Sequence, residues 1–210
     1  MAISYPLAFP TVTGLEDVEI MPHSSVGMSR SEFTGAQQTY DWGGAWWEAR
    51  VSLPPMKRAS AEEWIAFLIS LNGLEGSFLM GEPLNTSPRG SWAGTPVVKG
   101  AHAVRAETIA VDGFTPSTAN VLRKGDWLQF GTGSGSRLHK SRTDVDADGS
   151  GEASIEIWPP LRAALSDNAS IVVSSPKGLF MLSENVNSYS IGRAQMYGLS
   201  FACMEDLRDI

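Results

Sequence analysis

The residues most able to do chemistry lie close together at Asp144, Asp146 and Asp148, with Gly149 directly after them and Gly151 and Glu152 beyond. Acids at alternate positions followed by glycine copy the first half of an EF-hand loop and mark a calcium candidate. The twelfth position would be Ile155, where such a loop needs a bidentate glutamate, and the flanking runs read as strands. Asp and Gly are also turn formers, so the spacing predicts a glycine-rich turn joining strands at 138–145 and 153–158. The histidines, His23, His102 and His139, share no metal-ligand spacing with one another or with Cys203. The run Gly131 to Ser136 is glycine-rich but lacks the Lys-Ser/Thr ending and the helix of a phosphate-binding loop, and reads as a hairpin loop. No nucleophile elbow and no zinc-protease motif occurs. The pairs Glu62/Glu63 and Glu205/Asp206 read as solvated charges. No catalytic residue, resident metal or cofactor is expected, and the chain does not read as an enzyme.

Composition narrows the partners. The formal charge of -7, from 23 acids against 16 bases, disfavours tight binding to a phosphate backbone. The single cysteine, Cys203, excludes an intrachain disulfide, and its place on an alternating strand pattern predicts a buried, inert thiol made in a reducing compartment. The first ten residues lack a signal peptide's basic start, and no apolar run approaches membrane-spanning length, so no membrane insertion is expected. Of seven tryptophans, Trp46 and Trp92 are candidates for exposure, able to stack on a sugar or anchor a subunit interface.

The elements that position these residues centre on 40–83. Gly43-Gly44 between two apolar runs predicts a tight hairpin turn. Trp47, Ala49, Val51 and Leu53 then alternate with polar residues up to Pro54-Pro55, which end the strand. Ser60 and Glu63 form a capping box for a helix over 60–72, whose stripe is Trp64, Phe67, Leu68 and Leu71 and whose closing residue is Gly73. A strand at 77–80 follows. Upstream, a strand at 18–21 precedes a polar, glycine-broken segment, 22–35, that reads as a long loop reaching a neighbour; it carries the interface candidates His23, Met28 and Phe33.

Residues 81–100 have linker composition. Beyond them, short strands are expected at 97–98, 103–111, 127–130, 137–145, 153–158 and 170–174, with one helical turn at 119–123. In 195–204, Tyr197, Leu199, Phe201 and Cys203 share one face of a strand long enough to pair with the hairpin expected at 37–53. The expected fold class is mainly β: a β domain from 1–88 and 178–210 carrying the helix, with a small β-barrel or sandwich inserted at 89–177.

Several of these pieces resemble the distal tail proteins of long-tailed (siphovirus-type) bacteriophages, which sit between tail tube and tail tip. They are YDWGGAWWEARVSLPPMKRASAEEWIAFLISLNGLEGSFLMGEP, KGDWLQFGTGSGSRLHKSRTDVDADGSGEASIEIWPPLR, GLFMLSEN and YGLSFACMEDL, and they cover most of the chain. The aromatic-rich strand before a helix ending in Phe-Leu-x-Gly, the strand start Gly125-Asp126-Trp127, and Trp158-Pro159-Pro160-Leu161-Arg162 are the most telling. The resemblance implies a tail-tube-like split β-barrel with one packed helix and a second, outward-facing β domain. It also implies a homo-oligomeric ring, a hexamer, docked between the tail tube protein and the tail-tip hub and receptor-binding proteins. DNA would pass through its lumen without specific binding, and the protein would be made in the bacterial cytoplasm and end in the virion. Some relatives carry a larger, sugar-binding-like outer domain, for which this chain is short. A carbohydrate-binding β-sandwich module, or another minor tail or tip protein, stays open as an alternative.

Overall fold

The alternation after Gly44 sets the frame. Trp47, Ala49, Val51 and Leu53 are buried while Arg50 is exposed, so the strand turns one face to a core and the other to water. The computed structural model describes residues 3–192 and 195–208; residues 1–2, 193–194 and 209–210, parts of the expected first domain, lie outside the described residues. In chain order the elements are β1 (Leu7–Ala8), β2 (Asp17–Arg30), β3 (Gln37–Ser52), α1 (Arg58–Ser70) and β4 (Ser77–Met80). Next come β5 (Gly94–Val98), β6 (Thr108–Phe114), β7 (Trp127–Phe130), β8 (Arg137–Ser141), β9 (Ala153–Trp158) and β10 (Ile171–Val172). The chain ends with β11 (Gly178–Leu182), β12 (Tyr189–Ile191) and β13 (Tyr197–Glu205).

These strands form two sheets. The seven-stranded one has the order β1-β4-β11-β13-β3-β2, with β12 added on β13. The six-stranded one, β10-β7-β8-β9-β6-β5, is drawn from the intervening chain. Its two ends approach each other: Val97 bridges Ser170, and Val98 exchanges backbone hydrogen bonds with Ala169 and Asn168 at 3.0 and 2.8 Å. The protein is therefore mainly β, with a nearly closed six-stranded, barrel-like sheet. As the alternation predicts, β13 pairs with β3, from Ser200↔Ser52 to Met204↔Glu48. Leu199, Phe201 and Cys203 face the core, and burial pushes the Cys203 thiol up to about 12.

α1 buries Ala61, Trp64, Phe67 and Leu68 on the core face of the first sheet. Trp64 lies edge-on to Phe9 and Phe67 and donates its Nε1–H to Thr13 Oγ1 at 3.0 Å. The expected capping box is not used. The helix starts at Arg58 and ends at Ser70, and its N-cap, Lys57, makes no side-chain cap. The start is fixed by tertiary pairing instead: Met56 and Tyr197 exchange backbone hydrogen bonds at 3.0 and 2.8 Å, so the chain leaves the sheet and turns at once. The left-handed position directly after the C-cap Leu71 is taken by Asn72, at φ +50°, and not by the expected Gly73, which follows at φ +64°.

Several expectations are corrected. Gly43-Gly44 is not a hairpin turn, because β3 runs straight through it. The register passes from Ser24↔Ala45 to Val26↔Asp41, so Trp42, Gly43 and Gly44 together face Ser25 in a bulge, with Gly43 at φ +69°. Nor is 22–35 a loop: β2 extends to Arg30, paired with Gln37, and only 31–36 turns. Pro22 is tolerated because β2 is an edge strand, where a missing N–H need not break a ladder. The strand expected at 103–111 begins at Thr108, since Arg105 sits at φ +71°. The one expected at 137–145 stops at Ser141, and Val145 bridges Leu122. That bridge also replaces the helical turn expected at 119–123, where Asn120 lies at φ +52°. The stretch 81–100 is no free linker. Buried Asp126 accepts the backbone N–H of Arg89 at 3.1 Å, Gly90 at 3.0 Å and Arg123 at 2.9 Å. Burial pushes its carboxyl up, but these donors and the Arg89 guanidinium outweigh burial and hold it below the usual range.

Candidate interface sites

Among the described residues no third strand lies beside β2 and β3 beyond the bulge. The segments Val26–Arg30 and Gln37–Asp41 form a two-stranded arm, closed by the turn 31–36, in which Ser31 N–H donates to Ala36 O at 2.8 Å. A two-stranded ribbon with one face polar lacks a core of its own. Here it also exposes its apolar side chains. Phe33 at the tip is 100% exposed, Trp42 is 65% exposed and Met28 is 64% exposed, with Val26 and Tyr40 also open to water. Trp42 lies flat across Gly27, where a Cβ would come 2.2 Å from the indole. At the arm's base the Arg105 guanidinium approaches Gly43.

The interface candidates therefore divide. Met28 and Phe33 sit on the arm, exposed. His23 and Trp46 are opposite one another at its base, stacked at 4.1 Å with planes 16° apart, and Trp46 Nε1–H donates to Glu48 Oε1 at 2.9 Å. Trp46 is half-buried. Trp92, the other candidate for exposure, is half-buried against the second core, edge-on to Phe114 at 5.1 Å. The exposed tryptophan, Trp42, was not among the candidates. Its signal was present in the alternation of 37–42 with no matching core face, but the hairpin reading of Gly43-Gly44 concealed it.

The calcium candidates are brought near one another in sequence only. Asp144 Oδ1 accepts the N–H of Lys124 at 2.9 Å, and Asp146 Oδ1 that of Asn120 at 2.6 Å. Asp148 Oδ1 accepts Ser150 N–H at 2.8 Å and Glu152 N–H at 2.9 Å, and these donors, Glu152 first, hold its carboxyl below the usual range. Each carboxylate thus fastens a different backbone segment, which is the work of a structural loop. Among the described residues no cluster of three or more His, Cys, Asp or Glu side chains is arranged to hold a metal.

The two sheets meet along a seam that no single stretch of sequence marks. Trp47 of β3, Trp127 of β7 and Trp158 of β9 pack together, with ring centroids 4.7 and 4.4 Å from Trp47. Glu205 and Asp206, expected to be solvated, are 2% and 5% exposed. Glu205 Oε2 lies 3.3 Å from the Arg162 guanidinium and accepts the Trp47 N–H at 3.3 Å, while Oε1 has no partner among the described residues. Burial pushes the Glu205 carboxyl above its usual range, against the opposing pull of Arg162.

His139 of β8 is 1% exposed in the same seam. Its Nδ1–H donates to Pro159 O at 2.7 Å. Burial first, then the Arg162 and Arg137 guanidiniums, push its pKa from 6.5 down to about 4. The unfolded chain therefore takes up a proton near pH 6.5 that the native protein refuses until about pH 4. Stability from this group is full above pH 6.5, falls by about 3 kcal/mol between the two values and changes no further below. Urea midpoints measured across that window should show this slope, and His139→Gln should remove about one proton of it.

No protein-family model matches the chain, and no curated protein matches it. Among the described residues no helix is long and apolar enough to cross a membrane.

Proposed function

We propose that the protein is a structural subunit of a long bacteriophage tail, of the distal-tail type. In this reading it forms a hexameric ring that joins the tail tube to the tip hub and receptor-binding proteins, and it performs no catalysis. The observation that carries it is the arm: a ribbon with two free edges and exposed apolar side chains gains a third strand or a packed surface only from another molecule. The resemblance of the motifs at 40–83 and 124–162 supplies the tail context, with the first sheet and α1 as the tube-like body and the second sheet as the outer domain.

The face of β2, β3 and β13 opposite α1 carries Asp17, Glu19 and Glu48 against the single guanidinium of Arg50. Turned to the lumen, that face would repel a phosphate backbone and let DNA slide past. The test is the native mass of the purified chain by light scattering behind a sizing column, with negative-stain images. A ring of six, or a concentration-dependent series rising to it, is the expected result. A strict monomer at every concentration would overturn self-assembly into a ring.

A further inference from the structure

A groove of about 730 Å³ opens where the two sheets meet, beside the base of the arm. Its apolar lining includes Leu15, Val18, Ile20 and Leu84, which is 90% exposed, with Trp127 behind. Two carboxylate residues, Glu16 and Glu82, line it, with Asp17 at its edge, against one ammonium, that of Lys140, which already rests 4.3 Å from the Trp127 ring. Glu82 accepts the Trp127 Nε1–H. Such a groove suits an apolar side chain accompanied by a cation.

The arm presents that combination. Val26, Met28 and Arg30 share one face, Phe33 stands at the tip, and Arg30 has no ion-pair partner among the described residues. Glu32 lies in the turn, past the last ladder pair. The unbroken ladder from Val26↔Asp41 to Arg30↔Gln37 carries the tip about 20 Å past the bulge, so an arm does not fill its own groove. We infer that the groove receives the arm of a second copy of this chain, with Phe33 on the apolar floor and Arg30 among the carboxylates. Arm and groove are different surfaces, so each contact leaves one of each unused and the assembly propagates head to tail until it closes. The inference rests on the ring reading for its biological setting, and it names the contact that builds the ring.

The groove beside α1, lined by Ile65, Ile69, Tyr189 and three asparagines, carries no charge and serves as the control. Full-length Phe33→Cys protein is mixed with size-tagged Leu84→Cys protein and treated with a short bis-maleimide; Cys203 is buried and stays silent. Circular dichroism checks that the exposed substitutions leave the fold intact. A mixed product with Leu84→Cys and none with Ile69→Cys is expected, and adding Arg30→Glu should cut its rate about tenfold. Rings without that product, or a product with Ile69→Cys instead, overturn the groove assignment and leave the ring reading standing. The product without rings upholds the contact while the ring reading fails. Monomers without the product overturn both.

Discussion

Replacing Trp47 by alanine is expected to lower stability by about 4 kcal/mol, the loss typical of a buried tryptophan truncated to a methyl group. The indole is 4% exposed and ties its own sheet to the second one, through Trp127 and Trp158. Its Nε1–H donates to the Leu138 carbonyl at 2.9 Å, so truncation opens a cavity and also strips a buried acceptor of its partner. The neighbouring Trp46→Ala, which removes a half-buried ring from the outer face, should cost no more than about 1 kcal/mol, as surface changes do. Urea unfolding of both variants makes the comparison. Equal losses would mean that Trp47 does not join the sheets as described.

The Arg162–Glu205 pair should give the second large effect. Arg162→Leu leaves a carboxylate buried with only the Trp47 N–H for company and is expected to cost about 3–5 kcal/mol. Adding Glu205→Leu should recover most of that loss, because two apolar side chains in a buried site avoid the desolvation that the pair must overcome. The pH dependence fixes the sign. Glu205 is held above the usual carboxylate range, so its favourable contribution is full below that range and is lost as pH rises through the raised value. Arg162→Leu should therefore be milder in acid than at neutral pH. A double-mutant cycle by denaturant midpoint at both pH values tests this, and additive losses would exclude the coupling.

Local pattern was readable wherever it decided the outcome. The strands at 77–80, 127–130 and 153–158 appear with the expected bounds because each is a short apolar run closed by glycine, aspartate or proline. The helix stripe of Trp64, Phe67 and Leu68 follows from its period alone. Gly43-Gly44 was misread because a turn and a bulge use the same residues, and only the partner strand distinguishes them. That partner, β2, has a polar far half that reads as loop. Met28 and Phe33 were nameable as interface candidates from the sequence, but their exposure on an arm was not. The groove draws on residues 14–18, 20, 22, 47, 82–84, 127 and 140, and the seam pairs Arg162 with Glu205, so neither leaves a local trace.

The bulge at Gly43-Gly44 also separates two kinds of length. Below it the register of β2 and β3 is tied to the core through Val18, Ile20, Trp47 and Ala49; above it nothing buried depends on register. Residues added two to each strand, in matched pairs, lengthen the ribbon by about 6.6 Å and keep its two faces. An unmatched insertion would exchange those faces but would stop at the bulge. The length of the ribbon can thus change while the body that carries it stays unchanged.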